Sequence, residues 1–349
     1  MVPGVEVALM PIAAKPVPVV AVRADEARRT GLDAARILAA LGIVWTHANA
    51  DAEYASPAAM GRFAVPFFSV VAGIFLVDTL RNTSWSDVKT FLIRRAAKLY
   101  LPFIAWTLIY IAFRMSASMV VSVKDPFQVR WWLPLTGSMY HLWFLPFLLI
   151  ATLILTPLLV LALRRRAWSL IVAAVLITGG LLIVRFPFRV SVVHTSDHLY
   201  FLDRISARSP ALLWGTAIGL LVASDPRSWR IPRFMAIVGF GITAFCMGVY
   251  WQNGRTPWAA NLGGVGWLLV GLGIDRTSLS RWLAPLGRLS YGVYLIHPLI
   301  IAIVYKLWAV QHWPQGPLEI TTAFFAATLV SVGATKFIKS RKSLAWLTP

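Results

Sequence analysis

The sequence predicts an all-α polytopic membrane protein of about ten transmembrane helices with both termini in the cytoplasm. Three observations carry that expectation. Apolar residues make up 58% of the 349 and charged residues only 13%, about half the ~25% of a soluble domain. Apolar runs near the ~20 residues that span a hydrocarbon core recur along the whole chain. The basic excess, 33 Lys and Arg against 14 Asp and Glu, falls in short runs between those apolar stretches. A nucleic-acid binder would gather such charge on a soluble face, so nucleic acid is not an expected partner.

Residues 1–30 read as a flexible cytoplasmic tail. They are rich in Val, Ala and Pro, broken by Pro3, Pro11, Pro16 and Pro18, and lack the basic start and uninterrupted apolar core of a signal peptide. The expected spans follow at 32–50, 60–80, 99–118, 140–162, 168–185, 208–223, 234–251, 258–274, 287–308 and 318–336, forming one membrane domain over 31–338. A short basic tail, 339–349, closes the chain. Ten spans put both ends on one side, and 22 of the 33 basic residues fall there against ten opposite. The positive-inside rule makes that side cytoplasmic. Two longer external loops are expected near 119–139 and 186–207. The single cysteine, Cys246, excludes an intramolecular disulfide and reads as a core residue.

The first span holds the strongest chemical signal. Arg36 and His47 lie eleven residues apart, which returns to nearly the same helix face about 16 Å further along. Polar groups in hydrocarbon are costly unless they serve a cavity, a partner or a reaction. Asp33, three residues before Arg36, is placed to orient it. A bland alternative is an interfacial Arg–Asp pair with a histidine bonded to a neighbouring helix.

Other constellations follow in order. The second span, RFAVPFFSVVAGIFL, carries Ala72 and Gly73 after Phe67–Phe68, the small-residue pattern of close helix packing. FLIRRAAKLYLP places Arg94, Arg95 and Lys98 within about a turn; they are either positive-inside anchors or a site for phosphates. HLWFL brings His141 and Trp143 to the start of the fourth span, where headgroup contact is the plainer role. GRLSYGVYLIHPLI sets Ser290, Tyr291, Tyr294 and His297 along one flank of the ninth, a polar stripe that lines a cavity or knits helices. No metal site is expected, since no pair of His47, His141 and His297 has ligand spacing within a helix. There is no nucleophile elbow, Walker loop or dinucleotide fingerprint, so group transfer would rest on His47 as a base.

These motifs, in this order and spacing, resemble the acyltransferase 3 family of bacterial membrane proteins, from about Gly31 to about Lys336. The family's basic-residue, ten-residue, histidine motif falls on Arg36 and His47, and its third-helix basic pair on Arg95 and Lys98. Ala72–Gly73 stands where the family more often has Ser-Gly, which removes a hydroxyl. The resemblance implies an O-acyltransferase of the bacterial cytoplasmic (inner) membrane. It would move an acyl group, expected to be acetyl, from cytoplasmic acyl-coenzyme A to a sugar hydroxyl of a cell-surface, secreted or lipid-linked glycan. Acetyl-coenzyme A or another acyl-coenzyme A would be the co-substrate, with no bound cofactor. His47 would act as base or through a transient acyl-imidazole, with Arg36 beside it. Arg94, Arg95 and Lys98 would hold the donor, and Asp33, His141, Trp143, Ser290, Tyr291, Tyr294 and His297 would support the site or line its acceptor side. The alternative, from the residues alone, is a transporter or flippase of a lipid-linked sugar with His47 in a proton relay. Such proteins often show repeated, Gly/Pro-broken halves, which this chain lacks.

Overall fold

The computed structural model describes residues 29–49, 57–120, 131–187, 197–223, 231–254 and 256–349. Among them there are helices and no strands. The main helices are α1 (Thr30–Ala48), α2 (Ala64–Arg81), α3 (Val88–Val120), α4 (Phe144–Ala162), α5 (Arg166–Arg185), α6 (Asp197–Ala223), α7 (Phe234–Asn253), α8 (Pro257–Gly273), α9 (Ser278–Gly287), α10 (Ser290–Val310) and α11 (Pro317–Ser340). Eight of the described helices are long and apolar enough to cross a membrane. The other two expected spans, α1 and α8, are helical as well but fall short of that measure. Helix α1 carries Asp33 and Arg36, and α8 has 17 residues.

Their position explains the shortfall. Helix α1 packs against α2, α8, α9, α10 and α11, and α8 against α1, α2, α6 and α7. Neither has to be apolar toward lipid, because protein surrounds both. The outer helices show the reverse pattern: Ile237, Phe240 and Phe245 on α7 and Leu318, Phe325 and Leu329 on α11 are exposed. An apolar exterior around a more polar interior is the arrangement a bilayer requires.

Small residues set the closest approaches. A Cβ on Gly73 of α2 would lie 2.7 Å from the Leu212 carbonyl oxygen of α6, and one on Gly215 would lie 2.2 Å from the Val70 carbonyl oxygen. The two helices therefore meet backbone to backbone, the packing that small residues permit in membranes.

Three stretches differ from the hydropathy reading. Helix α3 begins eleven residues before the expected span, α6 begins at Asp197 inside the expected loop 186–207, and α9 fills a connection read as loop. Each is a run of polar or amphipathic turns. Such turns carry no membrane-length apolar signal, so hydropathy truncates them although the backbone continues helical. Parts of both expected external loops, 121–130 and 188–196, and the tail up to residue 28 lie outside the described residues.

Candidate active site

Helix α1 is clamped at both ends. The Asp275 carboxylate accepts from the Gly31 N–H at 2.9 Å and from the Thr30 hydroxyl at 3.2 Å. It satisfies an otherwise unpaired helix-start donor and opposes the positive end of the helix dipole. One turn further on, the Trp267 indole donates to the Ala35 carbonyl at 3.0 Å. At the far end the Tyr305 hydroxyl donates to the Ala48 carbonyl. Two flanks of the helix are packed, Leu32, Ala35 and Ala39 in one apolar cluster and Ala34, Ile37, Ala40 and Val44 in another. The remaining face presents Arg36, Ile43 and His47, at spacings of seven and four residues, to two successive cavities.

The cavity at the C-terminal end of α1 has a volume of about 460 Å³. His47 opens onto it and is held from behind by a histidine relay. The His47 Nδ1 lies 2.7 Å from the His297 Nε2, with the rings parallel within 9° at 5.0 Å. The His297 Nδ1 lies 2.9 Å from the Val293 carbonyl oxygen, one turn earlier on α10. A carbonyl only accepts, so His297 Nδ1 carries the proton; in the neutral ring its Nε2 then accepts from the His47 Nδ1–H. That leaves the lone pair of a neutral His47 on Nε2, the nitrogen not engaged by the relay.

The surrounding wall is aromatic and basic. Tyr140 meets the His47 ring edge-on at 4.8 Å. His141 is 3% exposed, its ring centroid is 5.7 Å from that of His297, and neither of its nitrogens has a well-formed hydrogen bond among the described residues. The Tyr294 hydroxyl donates to the His141 carbonyl, joining α10 to the start of α4. Trp143, Arg62, Arg204 and Arg208 complete the side toward α2 and α6. Among the described residues no three His, Cys, Asp or Glu side chains are placed to hold a metal ion.

The second cavity, about 280 Å³, lies toward the N-terminal end of α1 and is lined by Arg36, Arg95, Lys98, Ser290 and Tyr291. Arg36 sits 3.3 Å from the Asp33 carboxylate. The Ser290 and Tyr291 hydroxyls and the Arg95 Nε are buried without a hydrogen-bond partner among the described residues. Ile43, Val65, Phe144 and Tyr294 line both cavities and form the wall between them. The chain's last residues also reach the second cavity: the Trp106 indole donates to the Leu347 carbonyl at 3.1 Å, and Pro349 lines the space.

A family model described as an acyltransferase domain (Acyl_transf_3) matches residues 29–336, most of the chain. The chain belongs to the acyltransferase 3 family. No curated protein and no solved structure matches it. Family membership and the membrane-spanning helices together make it a membrane acyltransferase.

In this acyltransferase the residues singled out from sequence fall into two groups. His47, His141, Trp143, Tyr294 and His297 meet at the first cavity, Tyr294 and the hidden His297 partly from behind. Arg36, Arg95, Lys98, Ser290, Tyr291 and again Tyr294 meet at the second. Ser290 and Tyr291 therefore face the basic cavity rather than the His47 cavity. Asp33 stands behind Arg36, whereas Arg94 points outward, exposed, and lines neither cavity. Sequence reasoning passed over Arg62, Arg204, Arg208, Asp275 and Tyr305. The arginines lie in or beside expected spans, where the sequence suggests no role for them beyond topological charge. Their signal was the i, i+4 spacing of Arg204 and Arg208, which becomes visible once that stretch is known to be helical.

Proposed function

We propose that the enzyme transfers an acyl group, acetyl in the simplest case, from cytoplasmic acyl-coenzyme A to a sugar hydroxyl of a glycan or lipid-linked sugar in a bacterial inner membrane. The observation that carries this reading is the relay from His47 through His297 to the Val293 carbonyl, which turns a basic nitrogen toward a cavity large enough for a sugar. A thioester is already activated, so catalysis needs positioning and a base more than a covalent nucleophile. His47 Nε2 takes the proton of the acceptor hydroxyl as its oxygen attacks the thioester carbonyl carbon. The tetrahedral intermediate collapses with cleavage of the C–S bond, and the coenzyme A thiolate leaves and recovers that proton from the imidazolium. His297 Nε2, accepting from His47 Nδ1, holds the ring through both steps. On the donor side Arg95 and Lys98 bind the phosphates, which favour convergent cations, and Arg36 draws the donor toward the wall shared by the two cavities.

The test is turnover and donor binding on purified protein. His47→Ala should lower release of coenzyme A thiol in the presence of glycan acceptor by at least the ~10²–10⁴-fold typical of a general base, while still binding coenzyme A. Arg95→Gln should instead weaken coenzyme A binding. Near-native turnover in His47→Ala would overturn the mechanism, and unchanged affinity in Arg95→Gln would leave that arginine as an anchor.

A further inference from the structure

We propose that the acceptor carries an anionic group, a phosphate ester or a carboxylate, close to the hydroxyl that is acylated, and that Arg62, Arg204 and Arg208 hold it in the His47 cavity. The proposal rests on the acyl-transfer reading and adds to it the charge of the substrate. Arg62 enters from the turn before α2, while Arg204 and Arg208 stand one turn apart on α6, and all three line the cavity with His47. Arg208 is only 8% exposed. Cations inside a membrane bundle are costly unless they serve a partner, a cavity or a ligand, and these three border one cavity together. The expected topology does not require them, because it sets them on the side with ten basic residues rather than the side with 22.

The rest of the wall fits the same substrate. No Asp or Glu is among the described residues that line the cavity, and the buried Arg62 Nε has no hydrogen-bond partner among them. Guanidinium forks grip phosphate and carboxylate oxygens in pairs, which sets position as well as charge. Tyr140 and Trp143 line the same cavity and offer apolar aromatic surface to a sugar ring. A bound anion also offsets the positive charge that builds when His47 takes a proton beside three arginines.

The test uses three probes that share one pyranose: octyl glucoside, octyl glucuronide, and glucose joined to citronellol through a phosphodiester. Their binding to the full chain in nanodiscs is measured by titration calorimetry. At least one anionic probe should bind about tenfold or more tighter than octyl glucoside, as charge-assisted hydrogen bonds predict, and should weaken with added salt. Arg204→Gln and Arg208→Gln should shrink that preference, and Arg208→Lys should keep part of it. Preference for the phosphodiester identifies a lipid-phosphate linkage as the source, and preference for the glucuronide an acidic sugar. Equal affinity for all three probes, or a preference that survives both Gln substitutions, overturns the proposal. So does lost turnover in the Gln variants with no discrimination by the wild type, since that would assign the arginines to the oxyanion alone. If the Gln variants fail to fold, the wild-type comparison and its salt dependence decide. Binding needs no turnover: a protein that sorts the probes by charge yet transfers nothing would retire the acyl-transfer reading and overturn the acceptor role, leaving the three arginines as an anion site alone.

Discussion

His47 and His297 are 250 positions apart in the chain and 2.7 Å apart in space. Each was visible in the sequence as a polar residue within an apolar run, because hydrocarbon makes every such residue costly. Their pairing was not visible, since it depends on α10 laying its Val293–His297 turn against the end of α1. The roles of the two rings differ. His47 faces the cavity, whereas His297 is fully buried and, on the proposed reading, acts by holding its partner. His297→Ala should therefore lower kcat about 10–100-fold, the worth of one hydrogen bond to a charged group, with KM for both substrates nearly unchanged. His297→Gln, whose amide oxygen also accepts a hydrogen bond, should restore part of the loss. A kinetic comparison of the two variants settles it, and an Ala variant with wild-type kcat would remove His297 from the reaction. The arginines around the same cavity were illegible for another reason. A charge that reports topology and one that grips a ligand look alike in sequence, and only the shared cavity separates them.

At the scale of elements, hydropathy located the middles of the helices well and their ends poorly. Helix α6 illustrates this: its apolar half, from Arg208 on, is evident, while the stretch bearing Asp203 and Arg204 reads as a loop because its polar residues are needed in the interior. Helix α9 escaped for a related reason. It is a ten-residue amphipathic segment with Trp282 and Leu279 exposed, too short to register as a span, yet it packs along α1 and carries Ser280 toward Thr30. The small-residue pair in α2 was read as close packing, and Gly73 does meet α6 backbone to backbone. Gly73→Val should therefore force α2 and α6 apart and cost about 1–3 kcal/mol, read as a lower unfolding temperature in detergent. Gly248, around which a Cβ meets nothing within 4 Å, provides the control: the same substitution there should change the unfolding temperature far less.

For the whole molecule, the inside-out distribution of polarity was legible from composition, and the central placement of α1 and α8 was not. A helix with an Asp–Arg pair near one end is poorly suited to face lipid, so the bundle closes around it. That enclosure produces the two cavities in line, with the donor expected at one and the acceptor at the other. The wall between them, made of Ile43, Val65, Phe144 and Tyr294, then has a duty unrelated to the chemistry. A living membrane holds an electrical potential, worth about 2.3 kcal/mol per elementary charge at 100 mV, and a continuous wet path past His47 would dissipate it. On the proposed reading this apolar collar is an electrical seal, admitting a thin acyl arm while blocking a file of water. Thinning it should uncouple the two tasks. Tyr294→Ala, or Ile43→Ala with Val65→Ala, in liposomes loaded with a pH-sensitive dye should speed proton leak under an imposed potential. Leak rates indistinguishable from wild type in both would mean that the insulation lies elsewhere in the bundle.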